Sequence, residues 1–192
     1  MKKTLILLLL IFFGFTAPSF ADDVNDFQIE GMGVGDSLLD YLSEADINRR
    51  SISYPNPKFS ETYTDESLET YDDVLIAYKA KDKSRKIYGL RGIIYISFRD
   101  CESKKREIVE ELKDLFGNSA NVYNKNRQRH QADRSGKSFY SATYFDLVNG
   151  TVSVVCTDWS EKITIDNKWH DTLDVAINSQ ELSNFLSNEA YK

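Results

Sequence analysis

The alternation of apolar and polar residues, with short apolar runs between turn residues, predicts five β-strands. Two of them cover 74–78 and 87–98 and are joined by a polar tip at 81–86. Two more form a hairpin within 139–158, and the last covers 173–177. The polar stretches 60–73 and 118–137 carry no strand pattern, and we expect loops there.

Helical spacing of apolar residues predicts one long helix and three short ones. The long helix covers 101–116, with Asp100 as its N-cap and Gly117 just beyond its C-terminus. One short helix passes through Leu38 and Leu42, another begins at Ser43, and the last is capped by Ser179. Because strands and helices occur in separate groups, the fold class expected is α+β: a single antiparallel sheet of about five strands with helices packed on one face. We find no internal repeat or linker, so residues 22–192 are expected to form one domain.

The hairpin and the long helix together predict a disulfide. A two-residue Asn149-Gly150 turn places Leu147 opposite Val152, so that Cys156 lies on the apolar face of the hairpin. Cys101 precedes Ile108 by seven residues and therefore lies on the apolar stripe of the helix. The Cys101–Cys156 pair is the expected bridge, and two separately buried thiols are the alternative.

The first 21 residues have the pattern of a secretory signal peptide. Lys2 and Lys3 precede an apolar run that is shorter than a membrane-spanning helix requires, and small residues stand at Ser19 and Ala21. We expect cleavage after Ala21 and a mature protein without a transmembrane segment that is periplasmic or secreted. The alternative is an uncleaved membrane anchor. A lipid anchor would need a cysteine at this site, and the first cysteine is Cys101.

The charge distribution argues against nucleic acid as a partner. The formal net charge is −6, and loss of residues 1–21 leaves 22 basic and 30 acidic residues, a net charge of −8. Basic residues nevertheless cluster in 124–137 and at the 81–86 tip. They form a candidate anion-binding face for an anionic envelope surface or an acidic protein. Its members are Lys125, Arg127, Arg129, Arg134, Lys137, Lys81, Lys83, Arg85 and Lys86. Solubilising charge at a loop and a hairpin tip is the alternative interpretation.

Patterns for catalysis, metals and cofactors are weak in this sequence. Cys101 with His130 or His170 as a base is the one nucleophile arrangement, and a disulfide would abolish it. There is no G-x-S-x-G motif, and the two histidines have no ligand set of metal-site spacing. The Gly31-x-Gly33-x-Gly35 segment matches no phosphate loop, since Asp36 brings negative charge to that point. We therefore expect no catalytic residue, no metal and no cofactor.

Three segments carry a resemblance to a group of uncharacterised exported proteins of marine bacteria. They are FQIEGMGVGDSLLDYLSE at 27–44, ADRSGKS at 132–138 and CTDWS at 156–160. The resemblance implies export and a single fold but no particular chemistry. The glycine-rich lead into a helix pair is also similar, more distantly, to small lipoproteins of the outer-membrane assembly (SmpA) type, although the lipid-bearing cysteine is absent.

These observations favour an exported, non-enzymatic protein of the cell envelope that acts as a binding or accessory module. Two alternatives belong to different classes. One is a small hydrolase or thiol enzyme that uses His130 or Cys101, and the other is a secreted inhibitor- or toxin-like partner protein. A concave pocket with perturbed ionisable groups near a histidine would favour an enzyme, whereas a flat charged or aromatic face would favour a binding module.

Overall fold

The computed structural model describes residues 23–65 and 68–192, and the expected signal peptide, 1–21, lies outside these ranges. The strands are β1 (Gln28–Ile29), β2 (Met32–Gly33), β3 (Ile52–Ser53), β4 (Phe59–Thr64), β5 (Asp73–Lys79), β6 (Ile87–Tyr95), β7 (Asn121–Arg129), β8 (Phe139–Leu147), β9 (Gly150–Asp158) and β10 (Thr172–Ser179). The helices are α1 (Glu44–Arg49), α2 (Phe98–Phe116), α3 (Glu161–Asn167) and α4 (Gln180–Asn188).

One large antiparallel sheet of eight strands organises the molecule, in the order β3-β4-β5-β6-β10-β9-β8-β7, while β1 and β2 pair separately. The fold is α+β, as expected, but the sheet has eight strands and not about five. The additional strands are β3, β4 and β7. Both β4 and β7 fall in the polar stretches 60–73 and 118–137, where the sequence shows no apolar alternation.

Helix α2 forms the cover of one side of the sheet, which we call the closed face. The helix begins after Ser97, whose hydroxyl accepts a hydrogen bond from Asp100 N at 3.3 Å, so the N-cap is Ser97 and not Asp100. The buried stripe of α2 packs on β9 and β10. It includes Cys101, which is joined to Cys156 by a disulfide with Cα atoms 5.9 Å apart. The structure therefore joins the pair that the sequence predicted.

The register of the β8–β9 hairpin differs from the prediction by two residues. Leu147 pairs with Gly150 and Ser141 pairs with Cys156. Because side chains alternate with a period of two, this shift leaves every side chain on its expected face. Gly150 is needed for close approach to the neighbouring strand and not for a positive φ, since a Cβ there would lie 2.1 Å from Asn178 O.

Helices pack on both faces of the sheet, which corrects the expectation of helices on one face. α4 lies on the face opposite α2, which we call the open face. There Leu182 and Phe185 pack with Phe59 and Ala77, away from the main core. Gly89 admits the helix at this point, because a Cβ on it would lie 2.4 Å from Leu182 Cδ2. In the part of the chain described here, no helix has the length and apolar content needed to span a bilayer.

Candidate functional site

The open face holds a cavity of about 410 Å³, which lies between α4 and the loop after β7. That volume is within the range typical of small-molecule sites. Short side chains at the centre of β9 and β10, Ser153 and Ala176, leave this part of the sheet uncovered. The other lining residues used below are Tyr54, Glu61, Leu75, Arg91, His130, Tyr140, Tyr144, Val155, Thr157, Asp174, Asn178, Leu186 and Tyr191.

Arg91 lies at the middle of the cavity floor. Its backbone pairs with Leu75 on β5 and with Ala176 on β10, so its side chain is on the open face of a central strand. Among the described residues, no hydrogen bond or ion pair is made by the Arg91 guanidinium, although Asp174 is close enough to interact with it electrostatically. The described protein therefore leaves the five N–H donors of this guanidinium without a hydrogen-bond partner.

Asp174 lies beside Arg91 on β10. Its Oδ2 accepts a hydrogen bond from Thr172 Oγ1 at 3.2 Å. Burial raises the pKa of the Asp174 carboxyl, and the positive charge of Arg91 opposes this shift without cancelling it. The floor therefore combines a permanent positive charge with a carboxyl group that holds its proton more strongly than usual.

Tyrosines form much of the cavity wall. The hydroxyl of Tyr54 donates to Glu61 Oε1 at 2.5 Å, and burial together with this carboxylate raises the pKa of Tyr54 well above its usual value. Burial also raises the pKa of Tyr144 to about 12. These phenols are neutral near pH 7 and present apolar ring surfaces with polar hydroxyls.

His130 lies at the end of the cavity farthest from α4. Its ring is 4.2 Å from that of Trp159 and edge-on to Tyr140 at 5.9 Å, and burial lowers the pKa of its imidazole. Nδ1 accepts a hydrogen bond from Ala132 N at 3.3 Å. His130 is therefore a neutral, aromatic-packed wall residue at neutral pH.

A buried aspartate fixes the loop that carries His130. Asp133 accepts hydrogen bonds from Ser138 Oγ at 2.7 Å and from Ser160 Oγ at 3.0 Å, and also from the backbone N–H groups of Ser135 and Ser138. These bonds, chiefly those from Ser138, hold the pKa of Asp133 well below its usual range. The segments 132–138 and 156–160, noted in the sequence for their resemblance, thus meet at this end of the cavity.

The candidate residues chosen from the sequence lie outside the cavity, apart from His130. Cys101 and Cys156 are fully buried in their disulfide on the closed face, so no free thiol exists among the described residues for a thiol mechanism. His170 packs edge-on to Tyr95 at 6.0 Å, outside the cavity lining. No group of three or more His, Cys, Asp or Glu side chains in the described ranges is arranged to hold a metal ion.

The basic residues do not form a single anion-binding face. The pairing of successive antiparallel strands puts the 81–86 tip at one end of the sheet and the end of β7 at the other. Several members also have partners: Arg85 donates to Asn48 Oδ1 at 3.1 Å, and Arg127 lies 3.7 Å from Asp158 and over the Phe139 ring. The charges are therefore split between two separate turns.

Comparison of the chain with protein-family models, with curated proteins and with solved structures gave no match.

Proposed function

We propose that this protein is an exported, non-enzymatic binding module of the cell envelope whose ligand is a small molecule held in the open-face cavity. One observation carries the proposal: a sheet face that is uncovered at its centre and holds an unpaired guanidinium within a tyrosine-lined cavity. Concave sites that combine apolar surface with convergent polar groups are the usual form of small-molecule sites. The proposal of export rests on the pattern of residues 1–21 and agrees with the disulfide.

A concave cavity with perturbed ionisable groups beside His130 is the feature that was expected to favour an enzyme. The immediate surroundings of His130 are what favour binding over catalysis. A general base needs a nucleophile or a water within hydrogen-bond reach. Nδ1 of His130 instead bonds to its own loop, and its ring packs against Trp159 and Tyr140. The thiol enzyme loses its nucleophile to the disulfide. The inhibitor- or toxin-like protein remains an untested alternative.

A neutral fluorescent probe tests the proposed site. N-phenyl-1-naphthylamine is expected to bind the mature protein with saturable, blue-shifted emission, because the cavity offers an apolar aromatic surface. Ala176→Phe fills the cavity from its floor and is expected to weaken probe binding about tenfold or more. Val148→Phe is the matched control, because Val148 is 81% exposed at the hairpin turn. Equal probe binding by all three proteins, or no binding by the unsubstituted protein, would exclude the cavity as the site.

The hydrolase alternative has its own readout. If the protein cleaves p-nitrophenyl esters and His130→Gln abolishes that cleavage, the cavity is catalytic and the binding-module proposal is wrong. We expect no turnover above that of the His130→Gln variant.

A further inference from the structure

We propose that the ligand of the open-face cavity is a small monocarboxylate, with its acid group on Arg91 and its apolar or aromatic body against the tyrosine-lined walls. This inference rests on the proposed function and names the class of molecule that the same site takes. It follows from three properties of the cavity: Arg91 has no hydrogen-bond partner among the described residues, the lining carries few positive charges, and part of the wall is apolar and aromatic.

The described protein supplies no hydrogen-bond acceptor to the Arg91 guanidinium, whose nitrogens are open to the cavity. The side chain is partly buried on a central strand. Among the described residues, neither Asp174 nor Glu61 forms an ion pair with it. Asp174 Oδ2 accepts from Thr172, and Glu61 Oε1 accepts from Tyr54. A guanidinium presents parallel N–H donors whose spacing matches the two oxygens of a carboxylate. A bound carboxylate would therefore accept two parallel hydrogen bonds from Arg91, a geometry that a single water molecule does not match.

The charge balance favours one negative charge on the ligand. Arg91 and His130 are the basic side chains of the lining, and the lowered pKa of His130 keeps its imidazole neutral at neutral pH. Glu61 and Asp174 are the acidic lining residues, and both lie on the same open face as Arg91. A dianion such as a phosphate monoester would meet one permanent cation and at least one acidic neighbour. A monoanion meets the same acidic neighbours with half the charge, so it loses less to repulsion than a dianion does.

The walls offer apolar and aromatic surface to the body of the ligand, beside the polar side chains of Ser153, Thr157 and Asn178. Leu75, Val155 and Leu186 contribute aliphatic surface, and the rings of Tyr140 and Tyr144 lie at the β8 side. The hydroxyl of Tyr54 is already engaged by Glu61, which leaves its ring as the contact surface. A volume of about 410 Å³ accommodates a medium-length acyl chain or a single aromatic ring with an acid group.

Displacement of N-phenyl-1-naphthylamine by matched eight-carbon ligands tests the ligand class. We expect octanoate to displace the probe at a concentration about tenfold or more below that of 1-octanol, because the acid group gains charge-assisted hydrogen bonds to Arg91. Octyl phosphate is expected to be weaker than octanoate near pH 8, where it is a dianion. Arg91→Gln should bring octanoate to the level of octanol and leave octanol unchanged. Arg106→Gln, on the exposed side of α2, is the matched control and should keep the preference for octanoate.

The outcomes separate this inference from the proposed function. If Ala176→Phe does not weaken probe binding, the probe does not bind in the cavity, and both proposals fail. If the probe occupies the cavity but octanoate and octanol compete equally well, the cavity binds ligands and the monocarboxylate assignment is wrong. Stronger competition by octyl phosphate would also overturn it, in favour of a phosphate ligand. The comparison of octanoate with octanol needs no variant, so it stands even if Arg91→Gln fails to fold.

Discussion

Asp174 and Arg91 are charged side chains that interrupt otherwise apolar strands, and each is held there at a cost in solvation. A charge removed from water loses hydration free energy, and an incomplete set of partners returns only part of it. For Asp174 the result is a raised pKa, caused first by burial. At the residue scale, the ionised form of Asp174 is therefore expected to cost the fold stability.

The raised pKa of Asp174 gives a stability prediction. An acid whose pKa is higher in the folded state stabilises the fold at low pH and loses that contribution as pH rises through the folded-state pKa. Asp174→Asn removes the buried charge but keeps an oxygen to accept from Thr172. We therefore expect the variant to have a higher Tm than the unsubstituted protein at neutral pH. The difference should vanish below about pH 3.5, where the unfolded chain is also protonated.

Thermal unfolding followed by circular dichroism across this pH range makes the measurement. Asp166→Asn is a suitable control, because Asp166 is an exposed residue of α3 that pairs with Lys162 on the surface. A lower Tm for Asp174→Asn at neutral pH would show that the charged carboxylate stabilises the fold, contrary to this expectation.

The sequence marks Arg91 and Asp174 as charged residues inside apolar strands, but it does not show that the two residues are neighbours. Arg91 stands within Leu90-Arg91-Gly92-Ile93, and Asp174 stands between Leu173 and Val175. A single charge inside an apolar strand marks a position that is partly buried. That the two residues are neighbours follows only from the β6–β10 register, which joins segments about 80 residues apart in the chain. No local pattern contains that pairing.

The helix–sheet connection through Cys101 and Cys156 is the main constraint between elements on the closed face. It joins the first turn of α2 to the middle of the sheet across a separation of 55 residues. In the chain-entropy description, a closed loop of this length stabilises the fold by about 4 kcal/mol. Both cysteines are fully buried, so reducing agents in solution reach the disulfide only after the protein unfolds.

Removal of the bridge is expected to lower stability strongly. The double variant Cys101→Ala, Cys156→Ala should lose about 4 kcal/mol in the free energy of unfolding, or about 10 °C in Tm for a domain of this size. Reduction of the unsubstituted protein should produce a similar loss, while the double variant should not respond to reductant. Thiol labelling of the denatured, unreduced protein should find no free thiol. Two labelled cysteines would contradict the disulfide.

Elements whose buried face is apolar were predictable from the sequence, and elements whose buried residues are few or mostly polar were not. α2, β5, β6, β8, β9, β10 and α4 each place apolar residues at a regular period against a core. β7 pairs only with β8 and is exposed along almost its whole length, so its sequence shows no alternation. β4 is rich in Ser and Thr, and its buried Thr62 and Thr64 mask the pattern. The β-propensity of single residues does not reveal such strands, because they are held in place by hydrogen bonding to a neighbouring strand.

At the scale of the whole molecule, the two faces of one sheet are covered differently. The closed face packs against α2 and the N-terminal segment in an apolar core that holds the disulfide. The open face is covered by α4 only at one end and keeps its centre uncovered. Rigid packing on one side of a strand can thus position side chains on the other side, where Arg91 and Asp174 lie. The charged turns at the two ends of the sheet are too far apart to add to this site.

The expected site of signal-peptide cleavage fits the position of the first core residue. Val24 is 1% exposed, and Asp23 bonds to Asn149 Nδ2 at 2.7 Å on the β8–β9 turn. Cleavage after Ala21 would leave Asp22 as the first residue and keep both contacts, whereas cleavage beyond Val24 would remove a buried side chain from the core.

We therefore predict that the mature protein begins at Asp22. Intact-mass spectrometry of the exported protein should give the mass of residues 22–192 less two hydrogens, because the disulfide forms after export. Ala21→Tyr places a bulky side chain at the cleavage site and should accumulate the precursor, while Phe20→Tyr, one residue earlier, should be processed normally. Retention of Met1 in the exported protein would contradict both the cleavage and the mature charge of −8. A start beyond Val24 would mean that this residue is dispensable for the core.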